Sequence, residues 1–251
     1  STHYDYLKSL DKNNNLTLED KSLINFIFSR SEKNNNDIVK EIYYLEKAHE
    51  YWFNFKKKYY LKLLIFFEKI LINNFNKKNF AIKINNSSLI NNNQHIFIIG
   101  LPRSGSTLVE ALLLQKKKNI YSYGETSIFD FSVFNQIKKD LFNEQINNQE
   151  LELVIDDKIL IDSIKNVYQY SKDKIIIDKS LENFFYIDII LKLFPEAKFI
   201  HTFRDNMDAK VAIYQAMLIH LPWAHSIKNI SKYILNYEKV MNYFKKKYPN
   251  K

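Results

Sequence analysis

The stretch Gly100-Leu101-Pro102-Arg103-Ser104-Gly105-Ser106-Thr107 follows an apolar run, His95-Ile96-Phe97-Ile98-Ile99, and leads into Leu108-Val109-Glu110. The run has the β-branched and aromatic make-up of a short strand, and residues 106–114 read as a helix. Strand, glycine-bounded loop and helix in succession aim backbone N–H groups and a helix N-terminus at one point, a geometry suited to a phosphate or sulfate. The chain holds only three glycines in 251 residues, where a share of about 7% is ordinary. Two of them, Gly100 and Gly105, bound this loop, and the third, Gly124, lies in Tyr-Ser-Tyr-Gly-Glu, an expected loop. A chain so poor in glycine keeps it where the backbone demands it. The blander reading is a strand–helix turn with incidental polarity.

The spacing Gly-x-x-x-x-Gly is that of nucleotide-binding P-loops, but Ser106 stands where that motif carries lysine. No acid with an evident magnesium-binding role accompanies it, so an ordinary ATPase or GTPase is not expected. Arg103 supplies positive charge from inside the loop. A guanidinium holds a phosphate or sulfate through paired hydrogen bonds and needs no metal to do so.

Outward from the loop, residues 174–177 and 198–203 are two further short apolar runs. Each precedes a helical pattern, over 184–193 and 208–220. Residues 127–172 also read as helical, more weakly. Strand–helix alternation predicts a three-layer α/β domain, a parallel sheet covered by helices, over residues 91–251. Upstream, residues 3 to about 75 read as helices. Thr17 and Asp20 form a capping-box-like start, Asp37 opens a longer helix, and a third covers 60–73. The Asn-, Lys- and Ser-rich residues 73–93 form the expected connection, so 1–90 is read as a helical, repeat-like segment with a linker.

Composition sets the outer bounds. Hydrophobic residues make up 46% and charged residues 26%, enough apolar mass for a core. The 37 basic and 28 acidic side chains give a net charge of +9, which favours anionic partners, the blander reading being a compositional bias towards Lys, Asn and Ile. Basic residues are scattered and no nucleic-acid fingerprint appears, so no nucleic-acid partner is expected. Without cysteine there is no disulfide, thiolate nucleophile or Cys-ligated metal. That suits a cytoplasmic setting. The six histidines show no metal-ligand spacing, so no metal is expected. The most apolar stretch, residues 59–72, is too short and too charged to span a membrane.

The loop resembles the 5′-phosphosulfate loop of sulfotransferases. It is closest to the Pro-Arg-Ser-Gly-[Thr/Ser]-Thr-Leu form of tyrosylprotein sulfotransferases and of bacterial members linked to tetratricopeptide repeats. Three more segments agree in order and spacing. Tyr123-Gly124-Glu125 resembles the family's Gly-Glu acceptor loop, and Asp178-Lys179-Ser180-Leu181-Glu182-Asn183-Phe184 its Asp-Lys-x-Pro-x-Asn-Phe segment. The stretch from Phe194-Pro195 to Arg204-Asp205 resembles the segment that carries the family's 3′-phosphate site. Residues 221–226 (Leu-Pro-Trp-Ala-His-Ser) look like the repeat-bearing members, and the helices before residue 90 resemble a last tetratricopeptide repeat.

The resemblance implies 3′-phosphoadenosine 5′-phosphosulfate (PAPS) as donor, 3′-phosphoadenosine 5′-phosphate (PAP) as product, and a hydroxyl-bearing acceptor on a protein, glycan or small molecule. It implies that Ser104, Gly105, Ser106 and Thr107 hold the 5′-phosphate, and that Arg103 neutralises the leaving phosphate. Lys179 would reach the sulfuryl or bridging oxygens, Glu125 would be the general base, and Arg204 would bind the 3′-phosphate. The bland alternatives are an exposed loop acid for Glu125, a solvated lysine for Lys179 and a structural ion pair for Arg204; His201 reads as strand packing.

Three departures accompany the likeness. Ala212 stands where the family has a serine eight residues after the arginine, removing a hydrogen bond worth about 1.5–3 kcal/mol. The proline after the lysine is absent, which should relax that turn. The chain stops at Lys251 where the family continues with another strand, so either a C-terminally truncated fragment or an unusually short member is expected. The competing readings are a degenerate nucleotide-binding module without catalysis and a P-loop kinase. The acceptor and the oligomeric state are not legible.

Overall fold

The computed structural model describes residues 2–11, 15–72, 94–116, 119–142, 157–168 and 174–251. The expected linker over 73–93 lies outside them, as do residues 143–156 and 169–173. The chain divides into two compact units, one made of residues 1–65 and 210–232, the other of residues 66–209 and 233–251.

The first unit is helical. Helices α1 (Thr2–Asp11), α2 (Leu18–Asn34), α3 (Ile38–Phe55) and α4 (Lys57–Ile65) follow one another. Thr17 and Asp20 form a reciprocal capping box at α2, and the Asp37 carboxylate accepts from Lys40 N at 3.1 Å to start α3. Both starts satisfy N–H groups that a helix cannot satisfy itself. Helices α2 and α3 bury Phe28, Leu45, Ala48 and Trp52, and Ala48 is small enough for Ser22 Oγ to reach its carbonyl at 2.8 Å. The expected third helix instead begins at Lys57 and, after Ile65, widens into a π-helical turn, Phe66–Ile70.

A histidine pair lies inside this unit. His49 Nε2 is 2.9 Å from the Tyr214 carbonyl and His49 Nδ1 is 3.1 Å from His225 Nδ1. The carbonyl can only accept, so Nε2 of His49 carries the proton and its Nδ1 accepts from His225 Nδ1–H. Burial pushes His49 down to about 4 and His225 down to about 3. Both imidazoles stay neutral in the fold, yet they titrate near 6.5 once unfolded. Their contribution is therefore complete above pH 6.5 and shrinks as pH falls toward 4. Each proton bound only by the unfolded chain removes about 1.4 kcal/mol per pH unit. Buried carboxylates elsewhere in the chain bind protons in the fold over the same range and oppose this loss, so the pair's share is read as the difference between thermal melts of the wild type and of His225→Phe from pH 8 to pH 5. The wild type is expected to lose ground against the variant below about pH 7, and a difference constant from pH 7 to pH 5 would contradict the neutral pair.

The second unit carries a parallel sheet of four strands flanked by helices. Strands β1 (Gln94–Gly100), β2 (Ile120–Ser122), β3 (Ile175–Asp178) and β4 (Lys198–Thr202) lie in the order β2-β3-β1-β4, all parallel. Phe97, Ile98, Ile99, Ile176 and Ile177 are buried, the continuous apolar pattern of strands covered on both faces. Helices α5 (Ser106–Lys116), α6 (Ile128–Phe142), α7 (Asp157–Val167) and α8 (Ile187–Leu193) complete the pattern, with a 3₁₀ turn, Leu181–Tyr186, before α8. Helix α9 (Asn206–Ala216) starts two residues before the expected 208 because Asp205 Oδ1 accepts from Met207 N at 2.8 Å and Asp208 N at 3.2 Å. It stops at Ala216, short of the expected 220, because Met217 turns left-handed at φ 49°. Helix α10 (Ile227–Lys247) ends the helical order. Among the described residues no helix is long and apolar enough to cross a membrane.

Candidate active site

The chain passes from β1 to the edge strand β2, returns through β3 beside β1, and crosses to β4 on the other side. That reversal opens a crevice at the carboxyl ends of the strands, where open α/β sheets bind ligands. Gly100, Lys179, Glu125 and Arg204 all stand at such ends.

The loop after β1 is held by close backbone packing. Gly100 pairs with Thr202 across β1 and β4, and a Cβ on Gly100 would lie 2.2 Å from the Thr202 carbonyl oxygen. Its φ of 148° also suits glycine alone. Ser104 Oγ donates to the Leu101 carbonyl at 2.6 Å and lies 2.8 Å from Thr202 Oγ1, which seats the loop on β4. Arg103 adopts a left-handed φ of 65°, uncommon for a residue with a side chain, and is exposed. Gly105 and Thr107 are exposed beside it, while Ser106, the first residue of α5, is buried. The loop and the first turn of α5 thus present the N–H groups a helix start leaves without intrahelical acceptors.

Lys179 follows β3 directly and is buried, its side chain 8% exposed. Its Nζ donates to Glu125 Oε1 at 2.6 Å and lies 3.8 Å from Glu110 Oε2 of α5. Glu125 reaches this position because the backbone of its loop extends the sheet pairing. Tyr123 N donates to the Ile177 carbonyl at 3.0 Å, and Lys179 N donates to the Gly124 carbonyl at 2.8 Å. Gly124 makes the turn at φ 65°. The Glu125 side chain is 63% exposed, so one carboxylate faces both solvent and a desolvated ammonium. Glu110 also accepts from Ser122 Oγ, which in turn accepts from Gly124 N at 3.0 Å.

Asp178 is the residue on which this arrangement rests, and its sequence context marked only its neighbour. Its carboxylate is buried and accepts from Ser180 N at 2.7 Å, Tyr168 Oη at 2.6 Å, Asn183 Nδ2 at 3.2 Å and the Thr126 hydroxyl. Ser180 Oγ in turn accepts from Ser127 N at 2.7 Å. The turn after Lys179 was expected to relax without a proline; instead these hydrogen bonds pin it. Burial pushes Asp130 of α6 up to about 6 and Glu182 of the 3₁₀ turn up to about 7, the second also through the Asp130 charge. Tyr186 donates to Asp130 at 2.7 Å.

Arg204 lies just past β4, exposed, with Nε 3.5 Å from Asp208 Oδ2. Both partners are solvated, so the pair is weak and leaves the guanidinium accessible. Asp205 is occupied in capping α9 and is not its partner. His201 packs in β4 as expected, hydrogen-bonded to Tyr237, with burial pushing its imidazole down to about 4. Among the described residues no group of three or more His, Asp or Glu side chains could hold a metal ion.

An uncharacterized protein of Aquifex aeolicus (strain VF5) is 31% identical over 170 residues, covering 61% of this chain and 22% of that protein. The chain therefore spans less than a quarter of that relative's length. No solved structure matches. The family model described as "Sulfotransferase family" matches residues 95–250, from the first strand through α10 and across every residue of the crevice. The chain belongs to the sulfotransferase family.

Proposed function

We propose that the chain transfers a sulfuryl group from PAPS to an acceptor hydroxyl by in-line displacement. The observation that carries this reading is the meeting of Lys179, Glu125 and the 100–107 loop at the carboxyl ends of β1, β2 and β3. Residues 91–251 are read as the sulfotransferase part and 1–90 as the helical segment that precedes it.

In this reading the N–H groups of Ser104, Gly105, Ser106 and Thr107, with the Ser106 and Thr107 hydroxyls, bind the 5′-phosphate. Arg204 binds the 3′-phosphate. The acceptor hydroxyl gives its proton to Glu125 as its oxygen attacks sulfur. The bond between sulfur and the bridging oxygen breaks at the same time. Lys179, freed from Glu125, stabilises charge on the sulfuryl and bridging oxygens, and Arg103 neutralises the departing phosphate of PAP. A buried ammonium suits this role because its field is less screened than in water.

The test is a thermal-shift titration with PAP, compared with ATP plus magnesium. A ligand at a hundred times its dissociation constant adds about 2.7 kcal/mol. Stabilisation by PAP alone is expected, with Arg103→Ala and Arg204→Ala each weakening PAP binding by about 10-fold or more, the loss of one charge-assisted contact. Stabilisation only by ATP with magnesium would replace this reading with phosphoryl transfer. No shift with either would leave a module without the donor site.

A further inference from the structure

Lys179 is claimed by two carboxylates, and only one of them has a role in the proposed reaction. Glu125 must let go of the ammonium before that oxygen can take a proton, because Oε1 already accepts from Lys179 at 2.6 Å and the acceptor hydroxyl needs the same position. The second carboxylate, Glu110, lies one turn into the helix that begins at the phosphate loop, 3.8 Å from the same nitrogen. Its side chain is only 14% exposed, so its charge is felt at Nζ with little screening. Its other oxygen accepts from Ser122 Oγ, and that hydroxyl accepts from Gly124 N, the residue before Glu125. One side chain therefore touches the lysine and, through Ser122, steadies the loop that carries the base.

We infer that Glu110 is a positioning residue: it holds Lys179 on the phosphate-loop side of the crevice, so that the ammonium can leave Glu125 for the donor without losing its counter-charge. This rests on the sulfotransferase reading. Without donor, the single cation is shared between Glu125 and Glu110. With PAPS bound, Lys179 turns to the sulfuryl oxygens and keeps Glu110 as its neighbour, and Glu125 is free for the acceptor proton. Donor binding thereby releases the base, so the acceptor is activated only when a sulfuryl group is in place. Without Glu110, Lys179 has one carboxylate left and closes on Glu125, which withholds the lysine from the donor and the base from the acceptor together.

The experiment needs no acceptor. Calorimetric affinities for PAPS and for PAP are measured in the wild type, Glu110→Gln, Glu110→Asp, Lys179→Met and the Glu110→Gln/Lys179→Met pair. The ratio of the two affinities isolates the sulfuryl contact, since a change that merely damages the loop weakens both ligands alike. Lys179→Met is expected to reduce the preference for PAPS by about 10-fold, and Glu110→Gln by about 5-fold with PAP affinity unchanged or tighter, as a negative charge has gone. Glu110→Asp, which keeps the charge, is expected to recover most of the preference, and the double variant to match Lys179→Met alone. If Lys179→Met lowers the preference while Glu110→Gln leaves it intact, or if the two losses multiply in the double variant, the positioning role is wrong and the sulfotransferase reading stands. If the wild type binds neither ligand, or Lys179→Met leaves the preference unchanged, the underlying reading of the site falls and the inference with it.

Discussion

Lys179→Met is expected to lower sulfuryl-transfer turnover by about 10²–10³-fold, the loss found when one preorganised donor to a developing anion is removed. The methionine keeps most of the buried aliphatic stem and deletes the ammonium, and it avoids the void that alanine would leave at this buried position. The charge matters here because the side chain is 8% exposed, so water can replace little of its field. Removing it leaves Glu125 and Glu110 facing one crevice without a cation between them, which adds repulsion to the loss. PAP formation measured against a panel of hydroxyl acceptors, with PAP affinity as the control for folding, checks the expectation. Turnover within threefold of wild type would exclude Lys179 from the chemistry. Glu125→Gln is the matching variant: loss of a general base costs about 10²–10⁴-fold, with PAP affinity intact because the carboxylate makes no phosphate contact in this reading.

Gly100→Ala is expected to be the most damaging single methyl addition in the second unit. The new Cβ would lie 2.2 Å from the Thr202 carbonyl oxygen and 2.8 Å from its hydroxyl oxygen, both closer than carbon and oxygen can approach. The Thr202 carbonyl belongs to the backbone at the end of β4 and cannot swing aside as a side chain would. The φ of 148° adds strain that glycine alone escapes. Backbone strain and overpacking together cost about 3–5 kcal/mol, a large part of the roughly 5–15 kcal/mol that keeps a domain folded. Urea unfolding followed by circular dichroism is expected to show a midpoint well below wild type, or no folded baseline. A midpoint equal to wild type would mean that β1 and β4 do not meet at this residue.

Much of the crevice was legible in the chain because its signals are local. A strand, a glycine-bounded loop and a helix are contiguous at 95–114, and their chemistry depends on neighbours along the chain. Glycine scarcity pointed to Gly100 for the same reason, since a close backbone approach excludes every other residue wherever it occurs. Strand β2 was not legible. It has three residues, Ile120-Tyr121-Ser122, at the sheet edge, too few for a period of two to stand out from the surrounding polar chain. Helix α9 starts two residues before the pattern over 208–220 indicates, because the Asp205 carboxylate accepts from Met207 N and Asp208 N, a cap that apolar spacing does not register.

The sequence by itself determined the α/β class, the glycine-bounded strand–loop–helix over 95–114 and the family, since each is written in contiguous residues whose backbone preferences and side-chain chemistry travel together. Only the tertiary structure decided which side chains face one another. Glu110 meets Lys179, and Asp178 gathers Thr126, Tyr168, Ser180 and Asn183, because the order β2-β3-β1-β4 folds segments dozens of residues apart onto the same strand ends. The register of parallel strands depends on loop closure and packing across the whole sheet. No single segment of the chain carries that information.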